Sequence, residues 1–243
     1  MDRAVAIFSG GMDSSSLVYM LKQDYGELIM LSFDYGQRHK KEITSAKKLA
    51  GYLEENPTGA YTEHRVVNLR TITSMLKGSA LTDDVDVPDG HYSEEAARIT
   101  VVPNRNMIML GVATAVAVAE EADALYTGVH AGDHFIYPDC RPEFMHHINL
   151  AAQAGNESFA KRGFRIEAPF LHMEKSEIAK VGARYGVPWE DTWSCYKGGA
   201  IHCGTCPTCV ERQEAFYIAG VTDKTKYADA EYWKTVTTVP GVR

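Results

Sequence analysis

The chain has 243 residues, a formal net charge of −7, 45% hydrophobic and 23% charged residues. That length suits one sizeable α/β domain, alone or with an appendage, and buries an ordinary core without disulfides, while the acidic balance gives no basic footprint for stable nucleic-acid binding and favours a small substrate. The first apolar stretch ends at Ser9 and the longest, about Met107 to Ala119, is too short for a membrane span; five cysteines with four clustered fit a metal site in a reducing cytoplasm better than disulfides.

Ala4–Ile7 reads as a buried strand, followed by Phe8-Ser9-Gly10-Gly11-Met12-Asp13-Ser14-Ser15 and then apolar residues at helical spacing through Leu21. Ser and Asp are capping candidates for that helix, and the two glycines let backbone N–H groups approach an anion. A plain βα turn is the alternative for a lone Gly pair. The full Ser-Gly-Gly-x-Asp-Ser order resembles the pyrophosphate loop of ATP pyrophosphatases, and no Walker Gly-x4-Gly-Lys-Ser/Thr run is present.

Leu28–Phe33 is a second buried strand ending at Asp34-Tyr35-Gly36-Gln37-Arg38-His39, and Glu42–Leu53 is a helix with Ile43, Ala46, Leu49, Ala50 and Leu53 on its apolar face. Repeated βαβ units imply a parallel sheet with ligands beyond the carboxyl ends of its strands. A short strand at His64–Val67 precedes an excursion from Thr71 to Thr100, whose acidic run Asp83–Asp86 reads as a solvated loop. Val101-Val102-Pro103-Asn104-Arg105-Asn106 leads into a small-residue helix from Met107 to about Glu121; either Asn is a cap, or the two amides flank Arg105 as an anion or purine site.

Ala124–Gly128 is the next strand, and the loop from Val129 to Phe144 after it is dense in chemically capable side chains. Ordinary loop hydrogen bonding accounts for His130, Asp133 and His134 better than a metal site. Pro142 opens a helix to about Ala154, Ile166–Phe170 is a last strand, and a helix from Met173 ends at Tyr185 before Gly186. Lys175 is a solvated first-turn lysine or a phosphate ligand. Cys195, Cys203, Cys206 and Cys209 form Cys-x7-Cys-x2-Cys-x2-Cys, a pattern that closes a structural tetrahedral zinc site; a redox pair and an iron–sulfur cluster are the alternatives. Cys140 is a structural thiol or a nucleophile beside Arg141.

Together, the Ser9–Ser14 loop, Phe33–His39, Val102–Asn106, Tyr137-Pro138-Asp139-Cys140-Arg141-Pro142-Glu143-Phe144, Glu174-Lys175 and the four cysteines resemble the QueC family of 7-cyano-7-deazaguanine synthases over roughly residues 3 to 220. The resemblance implies a Rossmann-like, adenine nucleotide alpha hydrolase-like parallel sheet with helices on both faces and a small C-terminal zinc-binding segment. The corresponding divisions are an ATP-pyrophosphatase domain over 1–190, the zinc segment over 191–220 and a tail over 221–243.

The implied reaction has two stages. ATP adenylates 7-carboxy-7-deazaguanine, ammonia displaces AMP to give an amide, and a second ATP activates the amide so that loss of AMP leaves the nitrile. Phe8 to Ser15 would hold the pyrophosphate and Asp13 would position Mg²⁺. Arg38, Arg105 and Lys175 are the cationic catalytic candidates; Tyr35, Gln37, Asn104, Tyr137, Asp139 and Arg141 are the substrate candidates. A homodimer is implied too, with ammonia from solution or a separate protein. Asn104 and Val129–His134 depart from many bacterial members, so an enzyme stopping at the amide is one alternative, and a tRNA-modifying ATP pyrophosphatase using Cys140 is another.

Overall fold

The computed structural model describes residues 2–37, 41–56, 58–76, 87–91, 101–135 and 137–242. Five parallel strands, β1 (Arg3–Ile7), β2 (Glu27–Asp34), β3 (Tyr61–Asn68), β4 (Ala124–Tyr126) and β5 (Arg165–Glu167), lie in the order β3-β2-β1-β4-β5. Ala4 sits opposite Leu28 on one side and Ala124 on the other. Because successive side chains alternate across a strand, each central strand feeds two cores. Val5, Ile29, Leu31 and Leu125 pack on one face with α4 (Arg105–Ala119) and α5 (Pro142–Gly155). Ala4, Ala6, Leu28 and Met30 pack on the other with α1 (Met12–Asp24), α2 (Lys41–Glu55) and α6 (Lys175–Arg184).

This is the expected layered architecture, and the sheet order reverses between β1 and β4. In such sheets ligands bind at that switch, beyond the carboxyl ends of the strands. Several element ends differ from expectation. β3 begins earlier, with Tyr61 on an edge strand 69% exposed, so it lacks the apolar run that marks β1 and β2. β5 stops at Glu167, ahead of Pro169, which has no N–H for the ladder. α6 starts with a capping box, in which the Glu177 carboxylate accepts the Glu174 N–H at 2.8 Å. α3 (Arg70–Thr73) opens the excursion, whereas Asp83–Asp86 lie outside the described residues.

Neither asparagine caps α4 through its side chain. Asn104 occupies the N-cap position at φ +58° with no side-chain capping bond. Instead, Asp139 reaches over from the following loop and accepts the Asn106 N–H at 3.1 Å, satisfying a donor that helix geometry leaves unpaired.

Beyond α6, α7 (Pro207–Ala219) and the short α8 (Tyr232–Val236) complete the chain. Arg212 of α7 is fully buried and pairs bidentately with Asp223 at 3.0 and 3.1 Å. It also donates to the Thr192 and Thr225 hydroxyls and the Trp189 carbonyl, so one guanidinium ties three separate segments together. Burial raises the Asp223 carboxyl, but Arg212 and three hydrogen bonds outweigh it and hold the group at about 2. With the folded value below the ordinary ~3.9, this stabilisation is present above that value and is lost as pH falls through about 2. Asp223→Ala, which strands the buried guanidinium, is expected to cost about 3–5 kcal/mol in a urea titration.

Candidate active site

The loop after β1 turns through Gly10, whose φ of +79° places it in the left-handed region. A Cβ there would lie 2.5 Å from the Ala46 nitrogen and 2.7 Å from the Glu42 carbonyl oxygen, so both conformation and space require glycine. Gly11, not a serine or aspartate, is the N-cap of α1, and no side chain caps that end. The Ser9 and Ser14 hydroxyls are 3.0 Å apart and share a hydrogen bond, and the Ser14 hydroxyl also accepts the Ser9 N–H at 3.1 Å. These bonds curl the loop around an uncapped helix N-terminus, where N–H groups and the helix dipole favour an anion. From β4, Gly128 comes against the Ser14 nitrogen with space for no more than ordinary contact.

Facing the loop is a compact cluster of charges. The Asp13 carboxylate lies 3.6 Å from Lys175 Nζ and 3.8 Å from His130 Nε2, and Asp133 lies 3.5 Å from the same imidazole nitrogen. Lys175 also pairs with Glu211 of α7 at 2.6 Å. His130 Nδ1 accepts the Gly132 N–H at 3.1 Å, which puts the neutral ring's proton on Nε2, toward the two aspartates. Burial pulls the Lys175 ammonium down, yet Asp13, Glu211 and Asp133 together hold it above its usual range. Burial raises the Asp133 carboxyl against the pull of His130 and Lys175. Asp13 Oδ1 is buried with no hydrogen-bond partner among the described residues. A buried carboxylate oxygen without a partner beside a second carboxylate fits an oxygen-seeking divalent cation.

The other end of the cleft is aromatic. Tyr35 and Gln37 from the turn after β2, Arg105 from α4, Tyr137, Tyr196 and Glu42 all line it. Arg105 lies 5.7 Å from the centre of the Tyr137 ring and beside Tyr35 and Tyr196. The Gln37 amide closes its own turn, accepting the Tyr35 N–H and donating to the Phe33 carbonyl. Burial pushes the Glu42 carboxyl up to about 7 against the lowering influence of Arg105. Tyrosine faces with a carboxylate and a guanidinium between them suit a flat, polar-edged ring.

The third wall comes from the cysteine segment. Among the described residues, the ligand atoms of Cys195, Cys203, Cys206 and Cys209 all lie within 4.8 Å of one another, and the Cys203 and Cys209 sulfurs are 3.8 Å apart. Four thiolates at ~2.3 Å from one ion would be ~3.8 Å apart, so the set fits tetrahedral zinc. The Thr205 and Cys206 N–H groups point at the Cys203 sulfur at 3.4 and 3.2 Å, an outer shell that suits a thiolate. Directly upstream, the Trp193 N–H donates to the Gly10 carbonyl at 2.9 Å. Trp193, Ser194, Tyr196 and Thr208 thereby face the phosphate loop across the cleft.

The family model described as "Queuosine biosynthesis protein QueC" matches residues 3–220. The chain belongs to the QueC family. A 7-cyano-7-deazaguanine synthase of Ruegeria pomeroyi is 50% identical over 232 residues, covering 96% of this chain and 97% of that protein. A Mesorhizobium japonicum protein named 7-cyano-7-deazaguanine synthase 1 is 52% identical over 230 residues, 95% of each chain. Among solved structures, the NMN synthetase of Francisella tularensis shares 13% identity at a TM-score of 0.49, over 95% of this chain and 82% of that one.

This QueC chain brings Phe8, Ser9, Gly11, Met12, Asp13, Ser14, Tyr35, Gln37, Arg105, Tyr137 and Lys175 to one cleft. Gly10 shapes its floor, and Ser15 is buried beneath it. Asn104, Asp139 and Arg141 do not line it. Asn104 is exposed at the helix start, Asp139 is engaged with Asn106, and Arg141 Nε donates to the His134 carbonyl. Arg38 lies outside the described residues. Cys140 is a buried thiol that accepts from the Asn106 amide at 3.1 Å; burial pushes it up, reinforced by Asp133 and Asp139, which keeps it protonated and unsuited to nucleophilic attack. Glu42 and Tyr196 also line the cleft and Glu211 pairs with its lysine, yet in the sequence each looks like an ordinary helix or loop residue until the fold closes the cleft.

Cys206→Ser is expected to leave the purified chain with well under one zinc by metal analysis. Its melting temperature should fall by roughly 10 °C or more, as about 3 kcal/mol would produce in a chain of this size.

Proposed function

We propose that this chain converts 7-carboxy-7-deazaguanine and ammonia to 7-cyano-7-deazaguanine at the expense of two ATP. The observation that supports this best is the pairing, in one cleft of a QueC-family chain, of an uncapped helix N-terminus in a serine-glycine loop with an aromatic end holding Arg105 and Glu42. The loop would hold the pyrophosphate of ATP, leaving the α-phosphate toward the aromatic end, where the flat substrate would lie. Lys175 stands where phosphate charge shifts as pyrophosphate departs, and preorganised cations of this kind stabilise such a transition state. Arg105 is placed to orient the substrate's carboxylate or its exocyclic oxygen, a task its planar fork suits.

Asp13 and Asp133 would hold Mg²⁺, for which the buried Asp13 oxygen is the supporting feature. When bound, that ion neutralises phosphate charge and polarises the phosphoryl oxygens. The zinc set offers no open position, so its part is structural. Ammonia would come from solution or a separate protein. Four clustered thiols suit a reducing cytoplasm, and the homodimer belongs to the same proposal.

Asp13→Asn keeps the size of the side chain and removes the charge. AMP formation at saturating ATP and Mg²⁺ should fall by about 10²–10³-fold with an unchanged circular dichroism spectrum; turnover within a few fold of the parent would reduce Asp13 to a helix-start residue. The reaction itself is tested by mass spectrometry after exhaustive incubation of 7-carboxy-7-deazaguanine with ATP and ammonia. The nitrile with two AMP per substrate is expected. A persistent amide, unchanged by fresh enzyme and ATP, would leave an amide ligase instead.

A further inference from the structure

If the reaction is the one proposed above, on which this inference rests, its second stage has a requirement that phosphate chemistry does not meet. Turning a primary amide into a nitrile removes two nitrogen-borne protons. The first leaves as the amide oxygen attacks the α-phosphorus of ATP, giving the O-adenylated imidate and pyrophosphate. The second leaves as that imidate collapses: the C–O bond breaks, its electron pair departs with AMP, and the N–H electron pair becomes the third carbon–nitrogen bond. Nothing is oxidised or reduced. A base beside the nitrogen is therefore needed, and because that nitrogen shares a carbon with the adenylated oxygen, the base must stand near the phosphate-facing loop as well as the ring.

Asp13 and Asp133 are poorly placed for this. Asp13, at the end of the loop, and Asp133 are engaged with Lys175 and His130, within 3.5 to 3.8 Å of those cationic or proton-bearing groups. Glu42 differs. It lies in the first turn of α2, its carbonyl is packed against Gly10 so that the residue is fixed beside the loop, and it lines the cleft with Tyr35, Arg105 and Tyr196. We propose that Glu42 accepts the proton from nitrogen as the adenylated imidate collapses to the nitrile, and passes it on to water.

Among the described residues, the charged and titratable groups that act on Glu42 and its surroundings are Arg105 from α4, Tyr35 from the end of β2, Tyr137 and Asp133 from the loop after β4, and Tyr196 from the cysteine segment. Burial pushes the Tyr35 hydroxyl upward, so it supplies no base near neutral pH. The Glu42 carboxyl, raised to about 7, is a stronger base than an ordinary carboxylate and is still ionised in a large fraction at neutral pH, which is what general-base transfer favours. Arg105 keeps it from rising further and stands ready to compensate the charge of the departing AMP.

The test supplies 7-amido-7-deazaguanine directly, with ATP and Mg²⁺, to the wild-type chain, Glu42→Gln and Glu42→Asp. It follows nitrile and AMP separately, and measures the acid-to-amide stage in parallel. Glu42→Gln should lower nitrile formation from the amide by about 10²-fold or more beyond any effect on the first stage. It should also raise the ratio of AMP to nitrile, because an imidate that collapses slowly is hydrolysed back to amide and AMP. Glu42→Asp should recover part of the rate, and the acid limb of the wild-type pH profile, falling away below about 7 as Glu42 protonates, should vanish in Glu42→Gln. Equal losses in both stages, or an unchanged AMP-to-nitrile ratio, would overturn the proposal and leave Glu42 a packing or binding residue. If the wild-type chain itself made no nitrile from the amide, the reaction assignment would fail instead.

Discussion

The constraint on which the rest of this structure depends is the absence of a side chain at Gly10. At that point the loop after β1, the first turns of α2 and the segment leading to the cysteine cluster meet, with the Ala46 nitrogen and Glu42 carbonyl where a Cβ would stand and the Trp193 N–H on the Gly10 carbonyl. Three segments far apart in sequence are brought to one backbone atom group. The uncapped start of α1, the placement of Glu42 and the wall carrying Tyr196 all follow from that contact. An alanine there would face both a left-handed backbone and an occupied space.

The cleft built on this junction is electrically divided. At one end Asp13, Asp133 and Glu211 surround Lys175, so a cation and three carboxylates hold one another in place. At the other, among the described residues, the Glu42 carboxylate and the Arg105 guanidinium sit among tyrosines, where burial shifts Glu42 toward its neutral form. Such a division suits a molecule with a highly charged tail and a flat, weakly charged head. It also separates the ionic cluster around Lys175 from the tyrosine-lined part of the same pocket.

The parallel sheet was legible because its central strands are short apolar runs followed by helices of clear period. The serine-glycine loop was legible because its glycines and serines have a fixed local order. The cysteine set was equally plain, since its spacing alone nearly closes a site. What escaped was set by tertiary approach. Asp139 looked like a ligand for substrate but satisfies the start of α4, a task that Asn104 and Asn106 seemed suited to perform from their own positions. Glu42 looked like one more acidic residue in a first helical turn, and Glu211 like a solvated one in α7. Nothing local distinguishes them, because the neighbours that bury or pair them lie far away in sequence. Strand ends failed for a simpler reason: apolar residues continued past Pro169, where the ladder had to stop.

The bond from Trp193 to Gly10 carries a thermodynamic consequence for the metal. That bond joins the glycine loop to the backbone two residues before Cys195, so a displacement at one end is felt at the other. Linkage makes such influence reciprocal in binding free energy. A group bound at the loop and an ion bound by the four thiols would then bear on one another through this one hydrogen bond, to the extent that either moves it.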